Sequence, residues 1–260
     1  MQNRDIKKIT YAGLMMALVF VATAFLPRIP IPFAQQSYIH VGDSMIFITA
    51  ILFGWKYGAV VGGIGSSLAD IVVGATVWAI PTLITKAVMG AIVGFMAGET
   101  KDKKGKYAKN IFSLCIGGSW IVLGVYFHQL LGNISDSAFA AFLVKELKLK
   151  GPDELHRLAD TVRNVLLSAV ILIPIIIMVL FIFLNKKDKT LFSINSLMGT
   201  TLGGLCMVIG YYIAEILIVG NIIVPIFSIP LNLVQFIGSA VIAFIILIPL
   251  KNRTGDGSLF

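Results

Sequence analysis

The sequence predicts an all-α integral membrane protein, a polytopic helix bundle. Three observations carry this prediction. Only 13% of the residues are charged and 57% are hydrophobic, with a mean hydropathy of +0.91, whereas a soluble domain carries about 25% charge. Apolar runs return along the whole chain, at the length of membrane spans. The Lys and Arg residues gather in the gaps between the runs, and mostly in alternate gaps. The 260 residues form a single membrane domain, 1–260.

Eight apolar segments define eight predicted spans, near 9–26, 42–55, 57–74, 81–98, 110–131, 165–184, 195–219 and 230–249. The first follows a basic start, "MQNRDIKKIT", and ends in Ala22-Thr23-Ala24. A cleaved signal peptide shares that pattern, but this apolar stretch is long enough to span and more spans follow. The second and third are short and joined by the tight turn "GWKYG". A re-entrant pair would place Lys56 deep in the bilayer, so two true spans are expected. Between the fifth and sixth lies the loop 132–164, where Pro152 and the acids after it mark a helix start. Two short surface helices fit this loop. They either lie on the membrane surface, the simpler reading, or cover a site.

With an even number of spans both termini share one side. That side collects fourteen Lys and Arg residues and the other six, with Lys86 inside a span. Excess basic charge marks the cytoplasmic side, so both termini are expected in the cytoplasm. The same loops account for the net charge of +8 without nucleic acid. Cys115 and Cys206 lie in apolar runs and form no disulfide framework or metal spacing. No phosphate-binding loop, metalloprotease motif or nucleophile–base set occurs, so no enzyme, cofactor or metal site is expected in this chain.

The third span, read in steps of four, gives Gly58, Gly62, Ser66 and Asp70. The fourth gives Lys86, Gly90, Gly94 and Gly98. Residues four apart share a helix face, and stripes of small residues let membrane helices approach closely. Matching the stripes end to end pairs Gly58 with Gly98 and brings Asp70 towards Lys86. Charges inside a membrane are costly and are usually paired or functional. A purely structural ion pair is one reading, and a polar pocket is the other.

Further polar residues favour the pocket. Glu215 lies near the outer end of the seventh span. Asn232 and Gln235, three apart and so on one face, open the eighth. Asp43 opens the second span just after His40, Tyr38 follows Gln35, Gln36 and Ser37 in the first outer loop, and Trp78 sits in the turn after the third span. With the orientation above, all are expected in the outer third of the membrane. Clustering at one depth in several helices describes one cavity open to the outside. Aromatic walls and a few amides suit a small polar organic ligand.

The stretch "YIHVGDSMIFITAILFGWKYGAVVGGIGSSLADIVVGATVWAIPTLITKAVMGAIVGFMAG", residues 38–98, resembles the substrate-binding S component of energy-coupling factor (ECF) vitamin transporters. "VIGYYIAE" and "IPLNLVQFIGSAVIA" resemble the last two helices of that family. The resemblance implies a six-helix core that binds a vitamin or precursor from outside, near the outer face and under the loop between helices one and two. It implies partnership with a transmembrane coupling subunit and two cytoplasmic ATPase subunits, which use the ATP. It also implies a chain that topples in the bilayer to release its ligand. The family's first helix docks through an Ala-xxx-Ala pattern, for which Gly13 and Ala17 are the nearest match here. Spans 1–4 of the core fall in 1–106 and the last two in 191–260. Residues 107–190 read as an added hairpin with its outer loop.

The leading expectation is therefore a substrate-specificity subunit of an ECF importer. A self-sufficient carrier coupled to protons or sodium through Asp70, Lys86 or Glu215 is the alternative, and an intramembrane enzyme is weaker still. If Asp70 and Lys86 neutralise each other, a neutral heterocycle is the favoured ligand, such as a thiamine-precursor pyrimidine or vitamin B6. An unpaired Lys86 would instead answer a carboxylate. On the pocket reading, loss of the Lys86 charge abolishes binding.

Overall fold

The computed structural model describes residues 2–27, 29–30, 38–98, 102–134, 137–184 and 194–253. Gln35, Gln36 and Ser37 lie outside the described residues, as do the Tyr38 side chain and the basic residues Arg28, Lys101, Lys186, Lys187 and Lys189.

Helices dominate, as the apolar runs require, because a chain in lipid must satisfy its backbone internally. They are α1 (Gln2–Ala24), α2 (Asp43–Phe53), α3 (Trp55–Val72), α4 (Ala79–Ala97), α5 (Lys103–Gly132), α6 (Ser137–Glu146), α7 (Pro152–Leu184), α8 (Ile194–Val219) and α9 (Ile229–Arg253). A two-residue antiparallel ribbon, β1 (Ile29–Pro30) with β2 (Tyr38–Ile39), precedes α2. Every predicted span coincides with a helix. Five stretches are long and apolar enough to cross a bilayer unaided: 76–97, 103–132, 152–176, 194–219 and 224–247.

Three elements differ from the sequence expectation. First, the outer loop holds one short helix, α6, and not two. Its second half is the start of α7, a helix of 33 residues, about 50 Å long at 1.5 Å per residue. That exceeds a hydrocarbon core of about 30 Å, so its first turns project beyond the membrane. Pro152 occupies the first helical position, where its missing N–H costs nothing, and Glu154 accepts from the Lys150 N–H at 2.6 Å. Second, α5 starts at Lys103, with the Asp102 carboxylate capping the Gly105 N–H at 3.0 Å. The basic segment is thus a helical extension, and Lys109 folds back onto the carbonyls of Met96 (2.8 Å) and Gly98 at the end of α4. Third, α2 has only 11 residues, about 16 Å, roughly half a membrane crossing. The chain reaches its start as the non-helical segment 40–42, after the ribbon. Irregular backbone at membrane depth is tolerated only where protein buries it or a cavity adjoins it.

Gly54, at φ +88°, makes the abrupt join between α2 and α3, in a conformation open to glycine alone at little cost. α3 and α4 form the tightest pair in the bundle. A β-carbon at Gly58 would stand 2.6 Å from both the Gly90 carbonyl oxygen and the Ala50 methyl. α8 lies against α4 through Gly199 and Gly203, while α9 packs on α2 and α8. The core of Ile46, Phe47, Met89, Val93, Met207, Leu233 and Phe236 fills the space between them. The α5–α7 pair flanks this group and turns most of its surface outward.

Candidate functional site: a two-tier polar column

The stripes of small residues do pack α3 on α4, but in another register. Gly58 meets Gly90, and Gly62 meets the carbonyl of Lys86, 2.9 Å from where a β-carbon would be. The Lys86 backbone is therefore level with Gly62, eight residues from Asp70, or about 12 Å along the helix. Asp70 still comes near Lys86, as an electrostatic neighbour, but the expected pairing of Gly58 with Gly98 is corrected by this register. The reason is the turn. The hairpin folds about Gly74, whose φ of +83° ends α3, whereas the matched charges placed the fold near Trp78.

Lys86 pairs with Asp43. Its Nζ lies 2.6 Å from Oδ1 and 2.7 Å from Oδ2, with both side chains fully buried. The Gln235 amide donates to the same Oδ2 at 2.8 Å, and its carbonyl accepts from the His40 N–H at 3.3 Å. The His40 Nδ1 accepts from the Gly42 N–H at 3.0 Å, with the Thr23 hydroxyl 3.4 Å away. The Met207 sulfur stands 3.0 Å from Lys86 Nζ, and the Tyr211 ring face 5.0 Å from it. Asp43 also opens α2, where a carboxylate is favoured by the helix dipole. These groups form a lower tier that ties α2, α4, α8 and α9 together at mid-height of α3.

An upper tier lies towards the α3–α4 turn. Asp70 and Trp78 are buried there, and Trp78 packs on Ala75, Ala214 and the Tyr211 ring, with ring centroids 5.9 Å apart. The Tyr211 hydroxyl is 3.2 Å from the Thr82 hydroxyl. Glu215, one turn beyond Tyr211 on α8, accepts from the Ser228 hydroxyl at 2.9 Å. Asp70 is an electrostatic neighbour of Lys86, whose ion pair is with Asp43. Asn232 lies on α9, one turn from Gln235 towards this tier, and is 7% exposed. Of the predicted residues, His40, Asp43, Lys86 and Gln235 are joined in the lower tier and Asp70, Trp78 and Glu215 lie in the upper one.

Sequence reasoning missed Met207, Tyr211, Thr82, Thr23 and Ser228. The first two carried a signal, since 207, 211 and 215 recur every four residues on one face of α8. Gly13 and Ala17 lie on an open face of α1, and Gly13 has no neighbour within 4 Å of a β-carbon position.

A bundle of apolar helices around a buried polar column defines a polytopic membrane protein. Comparison with known proteins gives the family. Residues 3–180 match the ECF-type riboflavin transporter S component family, and the chain belongs to it. The match runs from α1 into α7. The chain is 43% identical over 102 residues to a Pyrococcus woesei protein described as an uncharacterized protein in the gap 3′ region, covering 39% of this chain and 65% of that one. It is 28% identical over 127 residues to the thiamine precursor transporter HmpT of Lactococcus lactis subsp. cremoris, covering 49% of this chain and 73% of HmpT. No solved structure matches. The protein is accordingly a multi-pass membrane protein of this family.

Proposed function

We propose that this chain is the substrate-specificity subunit of an ATP-driven importer in the cell membrane. On this reading both termini face the cytoplasm, and the chain captures a vitamin or vitamin precursor from outside. A transmembrane coupling subunit and two ATPase subunits then supply the transport step. The ligand is a neutral nitrogen heterocycle, with a thiamine-precursor pyrimidine as the first candidate. One observation carries this choice: Lys86 is neutralised within the column by both oxygens of Asp43. A buried charge whose partner is already in place gains little from a ligand carboxylate, and the amides of Gln235 and Asn232 suit a ring edge with a donor and an acceptor. Trp78 and Tyr211 supply aromatic surface beside them. The relationship to HmpT supports the pyrimidine, and the family's name makes riboflavin the competing ligand.

Asp70, Glu215, Asn232, Gln235, Trp78, Tyr38 and His40 are proposed to line the ligand site, with Lys86 and Asp43 as its floor. Gly13 and Ala17 are proposed as the docking face for the coupling subunit. The test is uptake of labelled thiamine-precursor pyrimidine and riboflavin by cells that carry this chain with or without a coupling module. Uptake of one of them that needs the module and ATP is expected. Uptake by the chain alone, collapsing with the proton or sodium gradient, would establish an ion-coupled carrier instead.

A further inference from the structure

Ser66 lies on the stripe of α3 that was read from the sequence as small residues for packing. Its hydroxyl is fully buried and has no hydrogen-bond partner among the described residues. Among the described buried hydroxyls it shares this state with Thr200 and Ser239. Thr10, Thr49, Ser113 and Thr201 all donate to the carbonyl four residues back, the ordinary escape for a helical hydroxyl. Leaving a buried polar group unsatisfied costs about 1–3 kcal/mol, so its position matters.

Gly62 meets Ile46, so Ser66, one turn on, is level with Gly42 at the very start of α2. Beyond that level α2 no longer covers α3. Asn232 stands on α9 one turn from Gln235, on the side away from Ser239, and is 7% exposed. The Lys86–Asp43–Gln235 tier lies beneath this level, and the Trp78–Tyr211 pair lies above Lys86. The unpartnered hydroxyls of Thr200 and Ser239 sit deeper, on the far side of the ion pair, and belong to neither tier.

We propose that Ser66 is a ligand-contacting, specificity-determining residue: with Asn232 it hydrogen-bonds a neutral heterocycle seated over the start of α2. The inference rests on the binding-subunit reading above. A hydroxyl both donates and accepts, so it can serve a ring nitrogen or an exocyclic amino group. A ring bearing both therefore fits better than an anion.

The test is equilibrium binding of a thiamine-precursor pyrimidine and of riboflavin to the purified full chain in detergent, for wild type and Ser66→Ala. Thermal unfolding of each protein without ligand is measured alongside. The expected result is affinity for the bound probe reduced tenfold or more, which is about 1.4 kcal/mol. The unfolding temperature should be unchanged or raised, because an unsatisfied polar group has gone. Unchanged affinity in folded Ser66→Ala, with wild type binding, overturns the role of Ser66 and leaves the binding reading standing. Failure of wild type to bind either probe overturns that reading, and this inference with it.

Discussion

Lys86 is the residue on which the column turns. Its ammonium holds both oxygens of Asp43, touches Met207 and lies over the Tyr211 ring. Removing one partner of a buried pair leaves the other charge uncompensated, which costs about 3–5 kcal/mol. Lys86→Met should therefore lower stability by that amount in unfolding followed by tryptophan fluorescence. Lys86→Met with Asp43→Leu should recover most of it, since an apolar pair of similar size is tolerated. If the double variant is no more stable than the single one, the pair is not the main partner of Lys86. The sequence showed that Lys86 needed a carboxylate but not which one. Asp43 and Asp70 are both acids near a predicted span end, and only the helix register separates them. The pairing also changes what a loss of binding in Lys86→Met would mean, because that variant disturbs the fold as well as the site.

Among the elements, the α3–α4 hairpin was the most legible and also the most instructive. Small residues four apart correctly identified the faces that touch. They could not fix the register, because a stripe repeating every four residues matches itself equally well after a shift of one or two turns. The turn decides, through Gly74. Close approach at Gly90 makes a direct prediction: a β-carbon there would collide with the Gly58 carbonyl. Gly90→Ala should destabilise the protein by about 1–3 kcal/mol. Gly117→Ala on α5, with no neighbour within 4 Å, should cost nothing in the same melting experiment. Equal behaviour of the two variants would contradict the packing of α3 on α4. α2 was less legible. Its apolar run covers 42–55, but its 11 residues show that hydropathy marks membrane depth without saying how much of the crossing it accounts for. The outer loop was misread for the opposite reason. Polar residues along 152–164 suggested a separate helix, although nothing in them breaks one, and α7 runs straight through.

At the scale of the whole molecule, the alternation of basic and neutral gaps predicts sidedness. In a variant with Cys115 and Cys206 replaced, a cysteine at Lys145 on α6 should react with a membrane-impermeant maleimide added to intact cells. One at Lys104 should react only after the membrane is opened. The reverse pattern would place the ribbon and the α3–α4 turn on the cytoplasmic side and remove the site from its proposed entry. The polar column was legible as a set of residues, since ionisable groups in apolar helices stand out. Its two tiers were not, because depth depends on where each hairpin folds. The central claim is that this column holds a neutral heterocycle of vitamin type. Native mass spectrometry of the protein, purified in mild detergent and then incubated with a panel of vitamins and precursors, tests it most directly. The account predicts one bound molecule per chain, with the mass of a neutral nitrogen heterocycle. A chain that stays empty throughout, or that retains only a carboxylate ligand, would contradict it.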